Sequence, residues 1–389
     1  MKYNFDEVIL RKNSGSIKWD EEPFGEVLPM WIADMDFKSA PEILNALQKR
    51  VEHGVFGYTA IPEAFYAAII KWWKKRYGFT LEKEWLVPVS GVIPALSAAI
   101  QSLSKTGDKV IIQSPVYNHF YSSIENSGRI VIENNLLYQN GKYSIDFEDL
   151  ARKAVDPKVK LLIISNPHNP VGKVWEKEDL QAIGDICLQH NVIIISDEIH
   201  ADLVFKEHIH IPFASLGEKY SLNSVTLSSP TKSFNLAGLQ VGYFFTKNKQ
   251  FRKAIQSSFK LMDTELLNLF GITALIAAYE ESEQWLDALK EYLQENYLFL
   301  TAFIHLNLPQ IKVTRLEATY LVWLDCTAWG KTADQLSHQL LEEQKLWINS
   351  GTMYGSSGEG FLRINIATPK ALLKDGLERL LKGLSSIQS

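Results

Sequence analysis

The segment LSSPTKSFNLAGLQ, residues 227–240, sets an amine and a hydroxyl three residues apart, on Lys232 and Ser229. It continues SVTLS, an apolar run of β-formers, so the pair falls at the mouth of a sheet. An amine so placed can form an imine with an aldehyde cofactor whose phosphate lies close to the serine. A solvated lysine after a strand gives the same short pattern, so the reading depends on what else the chain brings to that sheet edge.

Asp197 follows the apolar run NVIIIS, and a carboxylate buried there must be paired. Its partner is either a protonated ring nitrogen of the cofactor, or a helix N-terminus or structural cation. Asn169 lies between prolines in NPHNPVG, where its amide can donate to a phenolate oxygen or cap the turn. Tyr117, after Pro115, can stack on a planar ring or pack in a core. Arg363 sits in the apolar run GFLRINIA, where its planar fork needs an anion. That anion is a substrate carboxylate or an internal Asp or Glu. The turn SGVIPA (90–95) enters the small-residue helix ALSAAIQSL. Backbone N–H groups at that positive helix end make a cradle for phosphate, as well as an ordinary loop-to-helix junction.

Other patterns carry less. His208 and His210 form His-x-His with no third ligand at metal-site spacing. The glycines at 351, 355, 358 and 360 look like a phosphate loop, but they lack the trailing Lys-Ser/Thr and precede a strand. Trp72 and Trp73 read as packing or interface residues.

The elements that must position these residues are legible as hydrophobic runs. KVIIQ (109–113), RIVIE (129–133), VKLLIIS (159–165), NVIIIS (191–196) and SVTLS (224–228) alternate with helical stretches. Short continuous Val/Ile/Leu runs of this kind predict strands buried on both faces of a mainly parallel α/β sheet. VGYFFT (241–246) is a further candidate strand. Ligands bind such sheets beyond the carboxyl ends of the strands. The loops SPVYNHFY, NPHNPVG, DEIHADL and SPTKSFN each directly follow a predicted strand.

Helices are expected from Pro41 to about Glu52, from Pro62 to near Gly78, at 177–190, and across most of 248–308. The C-terminal part reads IKVTR, TYLVWLD (319–325), a helix at 332–344, LWINS, GFLRINIA and a last helix from about Ala371. LPMWIADMDF (28–37) has no clear period and reads as an extended arm laid across another surface. The expected division is an N-terminal arm with part of a small domain (1–44), a large domain (45–285) and a small C-terminal domain (286–389).

With 389 residues, 46% hydrophobic and 22% charged, the chain has the length for two domains and an ordinary globular composition. A net charge of −5 gives no basis for a nucleic-acid or anionic-membrane partner. No apolar run reaches bilayer length, and the polar N-terminus lacks the apolar core of a signal peptide. Cys187 and Cys326 have neither metal nor redox spacing, which suits buried thiols in a reducing cytoplasm.

Taken in order, NSGSIKWD, LPMWIADMDF, GYT, SGVIPAL, NPHNPVGKVW, SDEIHADL, SPTKSFNLAGLQ and GFLRINIATP cover nearly the whole chain. Together they resemble the fold-type I pyridoxal-phosphate enzymes, the class I/II aminotransferase superfamily. They are most similar to its cystathionine β-lyase branch, the MalY/PatB-type carbon–sulfur lyases. The resemblance implies a mainly parallel seven-stranded sheet in the large domain and a smaller α+β domain. It implies that Lys232 holds pyridoxal 5′-phosphate as an imine, that Asp197 meets the pyridine nitrogen and Asn169 the ring O3′, and that Tyr117 stacks on the ring. Gly91, Val92, Ile93 and Ser229 would hold the phosphate, helped by Tyr58 of the partner subunit in a homodimer with active sites at the subunit interface. Arg363 would clamp the α-carboxylate of an amino-acid substrate.

The chain departs from the broader aminotransferase pattern at two positions. His200 stands three residues after Asp197, where aminotransferases usually carry Tyr. Gln240 stands eight after Lys232, where they often carry Arg. Both replacements look typical of the lyase branch and leave these two residues without a role. The expected activity is α,β-elimination of L-cystathionine, and of cysteine or its conjugates, to a thiol, pyruvate and ammonia. An aminotransferase and a cofactor-binding regulatory protein are the alternatives.

Overall fold

The computed structural model describes residues 3–21 and 25–385. Seven strands form the central sheet: β1 Leu86–Val89, β2 Lys109–Ile112, β3 Ile130–Glu133, β4 Val159–Ser165, β5 Ile193–Asp197, β6 Ser224–Ser228 and β7 Gly242–Phe245. Their spatial order is β1-β7-β6-β5-β4-β2-β3. The pairs from β6 across to β3 are parallel, whereas β7 runs antiparallel to both β6 and β1. The run VGYFFT is thus a strand of the sheet, but a reversed one.

Burial on both faces explains the unbroken apolar runs. Leu161 and Ile163 point to the side covered by the helix Val92–Leu103, and Leu162 and Ile164 to the side covered by Lys177–Gln189. All four are fully buried. A side-chain period of two therefore needs an apolar residue at every position, not at every second one.

Among the elements with no counterpart in the expected runs are an edge strand, a hairpin and a helix. β1 is short and carries Pro88, which an edge strand paired on one side tolerates. A hairpin joins Leu137–Gln139 to Lys142–Ser144 through Asn140 and Gly141, both at positive φ, the backbone an Asn-Gly turn favours. The helix Phe147–Ala154 follows, capped by the Asp146 side chain on the Asp149 N–H.

A second sheet is antiparallel throughout: β8 Lys312–Val313, β9 Leu321–Asp325, β10 Asn349–Ser350 and β11 Phe361–Asn365, in the order β8-β9-β11-β10. The helix Lys370–Ser385 packs on Ala333–Gln344 and on the 25-residue helix Glu283–Asn307. No helix among the described residues is long and apolar enough to cross a membrane, and both cysteines are buried and free.

The N-terminal arm ties the two sheets together. Leu28–Pro29 pairs in parallel with Leu346–Trp347, and Trp31 stacks on Trp347 with ring centroids 4.5 Å apart. Asp36 is buried and accepts from Lys18 at 2.8 Å, Arg11 at 2.6 Å and Trp19 Nε1 at 2.9 Å. The motif NSGSIKWD thus supplies Lys18 and Trp19, which with Arg11 let the arm's aspartate leave water. The arm is not extended throughout. Asp34 N–H donates to Ile32 O at 3.0 Å, a tight turn with Ala33 at its tip.

Candidate active site

The carboxyl ends of β2, β4, β5 and β6 meet the arm and the N-terminus of the helix Val92–Leu103 around a cavity of about 330 Å³. Gly91, Val92, Ile93, Tyr117, Asn169, Asp197 and Lys232 all line it. They come from loops far apart in sequence, and the parallel sheet is what gathers them. Ser165 at the end of β4 is in register with Asp197 at the end of β5, so the loops that follow start side by side.

Asp197 is 5% exposed, and the one hydrogen bond of its carboxylate among the described residues comes from the Ile199 N–H at 3.2 Å. Burial raises its pKa to about 7, against the pull of that N–H. A cation or N–H donor in the cavity would be held by this carboxylate and would keep it ionised.

Lys232 lies on the loop after β6 and donates from Nζ to the Ala33 carbonyl at 2.6 Å. No carboxylate among the described residues lies within ion-pair distance of it. Burial, helped by Arg363, lowers its pKa to about 8 against the opposing pull of Asp34 and Asp197. The amine is therefore available uncharged close to neutral pH, as a nucleophile or base must be.

Asn169 follows the cis peptide bond Asn166–Pro167 and precedes a second, Asn169–Pro170. Its backbone N–H donates to Ser165 Oγ, and its Oδ1 accepts from Arg363 Nη1 at 3.3 Å. That orientation leaves Nδ2 as the group free to donate into the cavity. Tyr117 forms part of the wall, and burial pushes its pKa up to about 12, so the phenol stays protonated.

Arg363 is 3% exposed on β11, with Nη2 on the Trp31 carbonyl at 2.7 Å and its guanidinium 4.7 Å from the Tyr354 ring centroid. Its Nε is buried without a partner. Among the described residues no Asp or Glu pairs with it, so the internal-carboxylate alternative finds no partner there. A buried guanidinium bonded only to neutral oxygens is short of an anion.

Three expected residues are off the cavity wall, and of these Arg363 stands directly behind it, bonded to Asn169. Ser229 is 1% exposed and off the cavity wall, because its hydroxyl donates to the Val241 carbonyl at 2.6 Å and receives the Thr231 N–H. It props up Thr231, which lines the cavity in its place. Tyr58 is 99% exposed, beside Phe56 and Phe270 at a separate depression, and the single chain does not bring it to the site.

Sequence reasoning did not place Ser90, Ala33, Thr231, His200 or Gln240 at the site, yet all five line the cavity. Ser90 and Thr231 had a signal, since each adjoins a predicted site residue. Ala33 had none, because it acts through its backbone carbonyl from a point 199 residues before Lys232. Among the tempting patterns, His210 is occupied by Glu198 at 2.8 Å.

The residues present fit pyridoxal phosphate. The Val92–Leu103 helix N-terminus faces the cavity with Gly91 at its N-cap and no side chain capping it, which leaves N–H groups for a phosphate. The near-unpaired Asp197 carboxyl suits a pyridine N–H, the Asn169 amide a phenolate, and the Lys232 amine an aldehyde.

Residues 26–380 match the family described as aminotransferase class I and II. The chain is 42% identical to cystathionine beta-lyase PatB of Bacillus subtilis over 98% of its own length and all of that protein's. Among solved structures, cystalysin of Treponema denticola, which contains a pyridoxal 5′-phosphate cofactor, superposes with a TM-score of 0.96 at 35% identity, covering 99% of this chain and 100% of that one. The pyridoxal-phosphate-bound C–S lyase of Staphylococcus hominis superposes with a TM-score of 0.93 at 32% identity over 98% of both chains. With its sheet order, its cavity and these likenesses together, the chain belongs to the class I and II aminotransferase family, in the branch of the cystathionine β-lyases.

Proposed function

We propose that this protein is a pyridoxal-phosphate-dependent carbon–sulfur β-lyase that cleaves L-cystathionine, and also cysteine or its conjugates, to a thiol, pyruvate and ammonia. The observation that carries the reading is the meeting of three buried groups without their usual partners. These are the Lys232 amine, the Asp197 carboxyl and the Arg363 guanidinium.

Bound pyridoxal phosphate supplies an aldehyde that condenses with amino groups and a ring that accepts the electron pair left at Cα. Asp197 holds a proton on the ring nitrogen, the electrostatic share of the catalysis. Asn169 donates Nδ2–H to the ring oxygen, and Tyr117 covers the ring face. Gly91, Val92 and Ile93 would bind phosphate through the helix N-terminus, with Thr231 on the cavity wall and Ser229, hydrogen-bonded to it, behind.

Arg363 takes the substrate α-carboxylate in its planar fork, which orients the Cα–H bond toward Lys232. Lys232, released when the substrate amino group takes its place, removes the Cα proton as general base. The Cβ–S bond breaks with its electron pair leaving on sulfur, and the thiolate takes a proton from the Lys232 ammonium. Lys232 would then resume its place on the cofactor aldehyde and release the three-carbon enamine, which water converts to pyruvate and ammonia.

The protein works as a homodimer in this reading. Exposed Phe56, Tyr58 and Leu266 border an apolar depression of about 440 Å³, a surface suited to burial against a second copy. Across that interface the partner subunit's Tyr58 would reach the phosphate end of the site. The two buried free thiols suit the reducing cytoplasm.

Nitrogen accounting separates the lyase from an aminotransferase. With L-cystathionine and a 2-oxo acid both present, the lyase releases the amino nitrogen as ammonia. Its appearance in a new amino acid would reverse the assignment.

A further inference from the structure

The arm carries more than packing. Asn365 Nδ2 donates to the carbonyls of Ile32 and Asp34, both at 2.7 Å, on either side of Ala33. The turn closed by Asp34 N–H on Ile32 O leaves the Ala33 carbonyl as the one that faces the cavity. Lys232 Nζ and the Tyr320 hydroxyl share that oxygen, at 2.6 and 3.1 Å. Two residues earlier, Trp31 O accepts from Arg363 and from Asn349 Nδ2.

The strand period explains the clamp. Arg363 and Asn365 are two apart on β11, and Asn349 is the register partner of Arg363 on β10, so all three side chains share one face. From the other side, Asn235, three residues after Lys232, accepts the Met35 N–H and donates to the carbonyls of Met35 and Phe37.

We propose that the Ala33 carbonyl is the resting partner of the free Lys232 amine while substrate occupies the cofactor, and that Asn365 is the positioning residue that aims it. This rests on Lys232 being the cofactor lysine. An acceptor at 2.6 Å favours the ammonium over the amine and fixes the direction from which the nitrogen approaches Cα. The other charged groups around Lys232 are Asp34 on the arm, Asp197 on β5 and Arg363 on β11. His119 and His200 also sense its charge, and burial keeps both imidazoles below their usual pKa. The hydrogen bonds of the Asn365 side chain go to backbone groups, so replacing it changes the carbonyl and leaves the charges in place.

The test follows the Lys232–cofactor adduct by visible absorbance when pyridoxal phosphate is added to the cofactor-free full chain over a pH series. Only the neutral amine attacks, so the midpoint of the rate reports the lysine. In wild type the midpoint is expected near 8. In Asn365→Ala it falls by about half a unit or more, because the ammonium loses an aimed acceptor. An unchanged midpoint, even with a lower Tm, would make Asn365 purely structural and overturn the proposal. Absence of an adduct in wild type would instead overturn the reading of Lys232 itself. If Asn365→Ala does not fold, Asn235→Gly loosens the same arm while tolerating the φ of 57° found there, and the same fall is expected.

Discussion

Arg363 and Asn169 are joined by a hydrogen bond of 3.3 Å from Nη1 to Oδ1. The group that would take the substrate carboxylate is thus held by the group that would face the cofactor ring. One comes from the smaller sheet and the other from the loop after β4, so substrate placement depends on how the two sheets meet. The arm reinforces that joint, since Trp31 O holds the other end of the same guanidinium.

Arg363→Lys should raise KM for L-cystathionine by roughly tenfold to a hundredfold, with a smaller effect on kcat. Lysine keeps the charge but loses the fork that bonds Asn169 and Trp31 at once. Steady-state kinetics on the two proteins decides it, and an unchanged KM would remove the carboxylate-clamp role.

Asp197→Asn should lower kcat by roughly a hundredfold or more, because the amide cannot hold a proton on the ring nitrogen. It should also change how stability depends on pH. Burial raises Asp197 to about 7 in the cofactor-free chain, above the unfolded value of ~3.9. This group's contribution is therefore fully present below the unfolded value and lost as pH rises through about 7. Relative to the Asp197→Asn variant, wild type should lose on the order of 2–4 kcal/mol at most across that window. Urea unfolding of the cofactor-free proteins at either end of it measures the difference, and parallel stabilities would contradict the assignment.

Gly351→Ala should destabilise the fold by about 1–3 kcal/mol and raise KM as well. A Cβ at Gly351 would sit 2.0 Å from the Gly358 carbonyl, forcing apart a loop that carries Tyr354 beneath Arg363. Thermal unfolding and KM should therefore move together. A lower Tm with normal KM would separate the loop from the site.

Lys18→Met should cost about 3–5 kcal/mol, since it leaves part of the buried Asp36 charge uncompensated. The change reads out as a lower urea midpoint at unchanged slope. A shift within experimental error would show that Arg11 and Trp19 suffice.

The sheet was legible because parallel strands buried on both faces leave continuous apolar runs, and part of the cavity wall was legible because Tyr117, Asn169, Asp197 and Lys232 stand at or just beyond the ends of those runs. VKLLIIS and SVTLS coincide with β4 and β6. β1 was hidden by Pro88 and by its brevity, both tolerable at an edge. The Asn140-Gly141 hairpin has a signal in its turn residues, but its strands of three residues each are too short to show a period. Ser229 stands behind Thr231, since spacing along a loop does not tell which of two neighbouring residues borders the cavity. The Ala33 carbonyl could not be found from sequence at all, because every residue carries one.

The most direct measurement is the yield of pyruvate and free thiol from L-cystathionine with pyridoxal phosphate and no 2-oxo acid, for wild type and Lys232→Ala side by side. The account predicts equal amounts of the two products from wild type and neither from the variant. Products from both proteins would contradict the role of Lys232. Products from neither, with cofactor bound in wild type, would contradict the lyase activity itself.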